Sequence, residues 1–183
     1  MRFSENRKVA FVALALCVVI SLFGFGGMGL ARERGKVLKV YDRGTEPDLD
    51  IRHSMDAYLD AAAEKAQEMV SEAELYIGKT QTTQKVADLA ALVADSDLDT
   101  RYQAWTDLKG AVDGLYNAVQ RATDSDQFAQ FKIAYRDFNG AKDKIEKDEY
   151  HRLAADYNGL IGSFPGGLVA TVTGQGTLNT FGG

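Results

Sequence analysis

From Val9 to Leu30 the chain runs 22 residues, VAFVALALCVVISLFGFGGMGL, without a charged side chain. As an α-helix rising about 1.5 Å per residue, such a run matches the ~30 Å hydrocarbon core of a bilayer. It exceeds the roughly 7–15 residues of a signal-peptide apolar region. Gly24, Gly26, Gly27 and Gly29 weaken its end, and Gly29-Leu30-Ala31 resembles a small-x-small cleavage site. Two readings follow, an uncleaved single-span anchor or an exported protein whose first ~31 residues are removed. The segment inserts into a membrane in both. Arg2, Arg7 and Lys8 precede the run and Arg32, Arg34, Lys36 and Lys39 follow it, so the positive-inside rule is nearly balanced. A short basic leader ahead of an apolar run is the form of an export signal, which puts the body on the extracytoplasmic side of the cell membrane.

Charge divides the chain at the same place. Residues 1–36 carry six basic and two acidic side chains, leaving 15 basic and 24 acidic groups for the remainder. A chain with a pI near 5.1 lacks the basic surface that nucleic-acid phosphates require, so no nucleic-acid partner is expected. One cysteine excludes an internal disulfide framework and a Cys-rich zinc site. Three regions result: a membrane segment over 1–36, a body over 37–164 and a glycine-rich tail over 165–183.

The body reads as helical throughout. The two prolines, Pro47 and Pro165, bracket a long stretch that holds only Gly78, Gly110, Gly114, Gly140, Gly159 and Gly162 and is rich in good helix formers. Apolar residues recur at i, i+3 and i+4. Met55, Tyr58, Leu59, Ala62, Ala66, Met69, Val70, Ala73 and Ile77 make one stripe, and Val86, Leu89, Ala90 and Val93 a second. Leu98, Tyr102, Trp105, Leu108, Val112, Leu115, Tyr116 and Val119 make a third. The last runs through Phe128, Phe131, Tyr135, Phe138, Ile145, Leu153, Tyr157, Leu160, Ile161 and Phe164. Helices are predicted at 49–78, 82–94, 98–122 and 125–163, the last with candidate breaks at Gly140 or Asp148. Ser96 with Asp99 and Asp124 with Gln127 have capping-box spacing, and Gly78 suits a left-handed stop. Long helices with short connections pack as antiparallel neighbours. The predicted fold is therefore all-α, an N-terminal transmembrane helix followed by an elongated antiparallel helical bundle. The Phe164-Pro165 step ends the last helix. Beyond it, Leu168, Val169, Val172, Leu178 and Phe181 allow the tail either to pack back or to stay free.

Chemistry is hard to find. His53 and His151 lie 98 residues apart and have no Cys or His at ligand spacing, so surface or capping roles are expected. Gly24, Gly26 and Gly29 spell GxGxxG, but within a membrane segment and after no strand, so no dinucleotide site is read there. Cys17 sits inside the apolar run. No catalytic, cofactor-binding or metal-binding residue can be named. One pattern stands out: Asp56, Asp60, Glu64, Glu68 and Glu72 form a strict i+4 row of carboxylates, with Lys65 the only basic residue beside it in sequence. Like charges at this spacing each cost a few tenths of a kcal/mol. The row reads as a solvated face or as an interaction surface for a cation or a basic partner.

Tyr150-His151-Arg152-Leu153-Ala154-Ala155-Asp156-Tyr157-Asn158, followed by Ser163-Phe164-Pro165 and the terminal Phe181, resembles the YN…FP signature that closes the LemA family. The order of membrane segment, linker and Ala-rich helices is similar to that family's shorter, divergent branch. The resemblance implies a single-span bacterial membrane protein with a long antiparallel helical bundle and no assigned catalytic activity. The family's RR-x-DLIPNL segment is absent, so no functional residue carries over. The expectation is a non-enzymatic, membrane-tethered bundle that binds or scaffolds another envelope protein or a second copy of itself. The alternative is a cleaved, exported helical protein that binds a small ligand or metal ion.

Overall fold

A computed structural model describes residues 7–45 and 53–181. Among them every regular element is helical: α1 Arg7–Ile20, a π-helical turn Ser21–Phe25, α2 Gly26–Arg43, α3 Met55–Ile77, α4 Gln81–Ala94, α5 Leu98–Ala122, α6 Ser125–Lys147, α7 Tyr150–Gly162 and α8 Gly166–Thr173. The expected fold class holds: an apolar N-terminal helix long enough to cross a membrane, then an antiparallel helical bundle. Pro47 and the first residues of the helix predicted from 49 lie outside the described residues. Helix α3 begins at Met55, where the Ser54 hydroxyl accepts from the Ala57 N–H.

The chain forms two compact units, Met1–Leu38 with Arg152–Leu178, and Lys39–His151 with Asn179–Gly183. The second contains the bundle. Helices α3, α4, α5 and α6 follow one another through two- or three-residue connections; α3 packs on α4, α6 and α5, and α5 packs on α4 with a smaller contact to α6. The short connections make successive helices antiparallel, up-down-up-down. The four predicted stripes supply its core: Leu59 and Met69 from α3, Val86 and Val93 from α4, Trp105, Leu108 and Leu115 from α5, Phe131, Phe138 and Ile145 from α6. Fully burying each such side chain stabilises the fold by about 1.5–3 kcal/mol before the entropy of ordering it. The aromatic series packs on itself, with Trp105 5.9 Å from Phe138 and Tyr116 4.2 Å from Tyr135 between ring centroids.

Local chemistry fixes the ends of the helices. Thr80 and Thr83 form a reciprocal capping box at the start of α4. Gly78 ends α3 at φ +67°. Asp124 caps α6 as expected, accepting from the N–H groups of Asp126 and Gln127. The cap of α5 is Asp97 rather than Ser96, because the Asp97 carboxylate accepts from both Asp99 and Thr100 N–H. Two orphan donors are satisfied by one charged acceptor, which also complements the positive end of the helix dipole. The region 125–163 is two helices, broken at Asp148, and Gly140 lies within α6. The Asp148 backbone is extended, and its carboxylate accepts from the Tyr150 N–H at 2.8 Å, so one residue stops α6 and starts α7.

In the first unit the glycines that weaken the apolar run do not end it. The π turn absorbs Gly24, and the helical path continues through α2 to Arg43. After Pro165 the chain forms α8, Gly166–Thr173. The α7–α8 turn brings Gly166 so close to α7 that a Cβ there would lie 2.0 Å from the Leu160 carbonyl oxygen. Asn158 then holds the following segment by a reciprocal pair: its amide donates to the Leu178 carbonyl and its oxygen accepts from the Leu178 N–H, each 2.8 Å. Tyr157 and Leu178 are both buried.

Candidate functional site

The acidic row on α3 divides into two parts with different partners. At its N-terminal end, Arg101 of α5 inserts a guanidinium that is only 7% exposed between Asp56 and Asp60. Nη1 donates to Asp56 and Nη2 to Asp60, while Nε donates to the carbonyl of Val93. That carbonyl belongs to the last turn of α4, where acceptors have no partner within the helix. One side chain therefore ties three helices together. Lys65 is thus not the only relief of the like-charge row. The tie engages two of the five carboxylates, which stay 40% and 55% exposed.

The other three lie further along α3. Glu68 pairs with Lys65 at 2.7 Å, Glu72 accepts from the Tyr76 hydroxyl at 2.7 Å, and Glu64 is exposed beside Lys65. Among the described residues no three His, Cys, Asp or Glu side chains are grouped to hold a metal ion. Residues four apart on one helix face are laid out in a line, whereas a cation needs oxygens converging from several directions.

The electrostatics follow from burial. Desolvation pushes the Asp60 carboxyl above its ordinary range and the Arg101 charge pulls it back. Burial likewise raises the Tyr41 phenol, whose hydroxyl is buried without a hydrogen-bond partner. Tyr41 belongs to an aromatic cluster beside the Arg101 tie, 5.3 Å from Tyr150 and 5.9 Å from Phe181 between centroids. Phe181 closes that cluster. Its ring is 1% exposed, its carbonyl accepts from Trp105 Nε1 at 3.2 Å, and the Asn179 carbonyl accepts from the Tyr150 hydroxyl at 2.9 Å. Phe181 is therefore part of the core of the second unit.

The two histidines contact a phenol and a backbone carbonyl. His53 Nδ1 lies 3.3 Å from the Tyr58 hydroxyl. His151 Nε2 lies 2.6 Å from the Ile145 carbonyl, which can only accept, so that nitrogen carries the proton, and its Nδ1 is buried with no partner. His53 borders an open groove of about 470 Å³ whose walls carry Arg43, Lys144 and Lys147 against Asp143, Asp148 and Glu149. Three cations facing three carboxylates create no net field to concentrate an ion of either sign. In the first unit, Gly24, Gly26 and Gly29 lie on helical backbone and form no phosphate-binding turn. Cys17 is exposed on α1.

Arg101 and Tyr41 are the residues that sequence reasoning missed. A signal was present for Arg101. It stands three residues after Leu98 and four before Trp105, in register with the apolar stripe of α5, and a cation at a core position requires a buried or half-buried acid opposite. No family model matches the chain, and no curated protein or solved structure matches it either.

Proposed function

We propose that the protein is a membrane-anchored, non-enzymatic helical bundle of LemA-like type. It is held in the cell membrane by a single span over Val9–Leu30 and acts by binding another envelope protein or a second copy of itself. One observation carries this reading: none of the most apolar stretch of the helix Val9–Arg43 is buried within the protein. Phe11, Leu14, Ile20 and Phe25 are each more than half exposed. A core helix of a water-soluble protein buries such residues. Leaving them in water forfeits about 1.5–3 kcal/mol per side chain, and a contiguous patch of this size marks a lipid or protein contact.

Retention of the span is favoured over its removal by the helical path through Gly29-Leu30-Ala31, which lies inside α2 and not in an extended, cleavable segment. The short basic leader supports an extracytoplasmic body. On that body the surface offered to a partner is the exposed part of the α3 row, Glu64 and Glu68 with Glu72 at its edge, since Asp56 and Asp60 are engaged by Arg101.

The test is the intact mass of the protein in carbonate-washed membranes of its native cells. A full-length mass in the pellet is expected. A species lacking about the first 31 residues in the soluble exported fraction would overturn the anchor and favour the exported ligand-binding alternative. Cross-linking of the Glu64→Gln/Glu68→Gln variant beside the natural chain then addresses the partner surface. Unchanged partner recovery would remove the acidic surface from the mechanism.

A further inference from the structure

We propose that α8 is a second membrane element, a short apolar helix that lies at the bilayer interface against the N-terminal helix and presents its outer face to lipid acyl chains. The proposal rests on the reading of Val9–Leu30 as a span, and four features of the first unit carry it.

After Asp156 the chain has no charged side chain through to Gly183. Within that stretch α8, GGLVATVT, is apolar on both faces: Val169 and Ala170 are buried, while Leu168 and Val172 are more than half exposed. Phe164, just before the helix, is 85% exposed. A helix that is apolar all round is suited to a protein core or to lipid, and this one has half of its apolar surface facing outward.

Its inner face is seated on the apolar run itself. Built on Gly26, a Cβ would lie 3.3 Å from Val169 Cγ2, and built on Gly27 it would lie 2.8 Å from Thr173 Cγ2. Close approach over small residues is how helices associate inside membranes, where apolar side chains gain nothing by leaving lipid for one another. Gly26 and Gly27 fall three to four residues before Leu30, about 5–6 Å inside the end of the run. That is the depth at which interfacial helices bury their apolar face.

Both threonine hydroxyls of α8 are also satisfied internally. Thr171 Oγ1 donates to the Gly167 carbonyl at 2.8 Å and Thr173 Oγ1 to the Val169 carbonyl at 2.7 Å. Groups without access to water need such partners. Beside the helix, a cleft of about 320 Å³ lined by Leu22, Leu30, Pro165 and Val169 offers an apolar channel for an acyl chain. Eight residues reach only about 12 Å, too short to cross a bilayer, so the helix lies at its surface layer.

The experiment uses the full chain in phosphatidylethanolamine/phosphatidylglycerol vesicles. In a Cys17→Ser background, single cysteines are introduced as Leu168→Cys and Val172→Cys, with Leu14→Cys as the reference within the span and Leu92→Cys on α4 as the water-facing reference. Each is labelled with an environment-sensitive fluorophore. It is then quenched either by lipids bearing a nitroxide at the fifth acyl carbon or by aqueous iodide. The expected result is lipid quenching at 168 and 172 several-fold stronger than at 92, with iodide quenching correspondingly weaker. Lipid quenching at 14 while 168 and 172 behave like 92 would overturn the proposal and leave the span intact. Absence of lipid quenching at 14 would overturn the span and the proposal with it. Adding Gly27→Ile should lower the lipid quenching at 172 and leave that at 14 unchanged; a signal at 172 unaffected by this substitution would refute the glycine seat.

Discussion

Replacing Arg101 with methionine tests whether the bundle depends on the tie between α3, α4 and α5. Methionine keeps most of the buried stem volume, so the change isolates the guanidinium. Three interactions go: the pairs with Asp56 and Asp60 and the donation to the Val93 carbonyl. Hydrogen bonds involving a charged group contribute about 1.5–3 kcal/mol each, and breaking a fully buried pair costs about 3–5 kcal/mol. The carboxylates are 40% and 55% exposed and can rehydrate, so the two ion pairs contribute at the lower end. The Val93 carbonyl loses its only side-chain donor. The net expectation is a loss of about 2–3 kcal/mol, or about 5–10 °C in Tm for a bundle of this size.

Trp105 is the only tryptophan and is fully buried in the bundle, so its fluorescence during urea unfolding of the full chain in detergent micelles reports the loss directly. Arg136→Met serves as the control, since Arg136 is 76% exposed and its pair with Asp137 is a surface contact worth at most about 1 kcal/mol. Adding Asp56→Asn and Asp60→Asn to Arg101→Met should restore part of the stability by removing the uncompensated like charges on α3. If Arg101→Met costs no more than Arg136→Met, the tie does not hold the three helices together and the reasoning fails.

The same cluster has a pH signature. Asp60 titrates above its unfolded value because of burial, so its contribution to stability is fully present below the unfolded pKa and is lost as pH rises through the folded one. Removing the Arg101 charge raises that folded value further, so the deficit of Arg101→Met should shrink as urea titrations move from pH 7 toward pH 4.5. The Asp97 cap has the opposite sign. Its carboxyl is held low, first by the Thr100 hydroxyl, so its contribution is present above the unfolded pKa and disappears as pH falls through the folded value. The lower Tm of Asp97→Ala at pH 7 should accordingly vanish in strong acid. Phe181→Ala removes a ring that is 1% exposed and should cost about 3–5 kcal/mol by urea unfolding, whereas a free tail would cost nothing. Gly166→Ala drives a methyl into the Leu160 carbonyl and should open the α7–α8 turn, read as faster proteolysis between residues 160 and 170.

Much of this was legible in the chain because helices are local objects. The i, i+3, i+4 stripes mark the buried faces of α3 to α6, and Trp105, Leu108, Phe131 and Phe138 all occupy the core that their spacing predicts. The Asp148 break was visible as a candidate. The Asp97 cap was read one residue early, as Ser96, because two neighbouring residues carried acceptors and only the backbone geometry chose between them. The role of the carboxylate row was not legible in full. Spacing along α3 shows that five acids share a face, but Arg101, which engages two of them, stands 45 and 41 residues away.

The sequence by itself determined the helical class, the approximate positions of α3, α4 and α5 and the apolar run near the N-terminus. Each depends on contacts within a few residues or on composition, where propensity and periodicity act. Only the tertiary structure decided which faces meet. It places Arg101 between Asp56 and Asp60, brings Phe181 under Trp105, and seats Val169 on Gly26. Those pairings depend on the closure of long loops and the complementarity of distant surfaces, which no local pattern along the chain encodes.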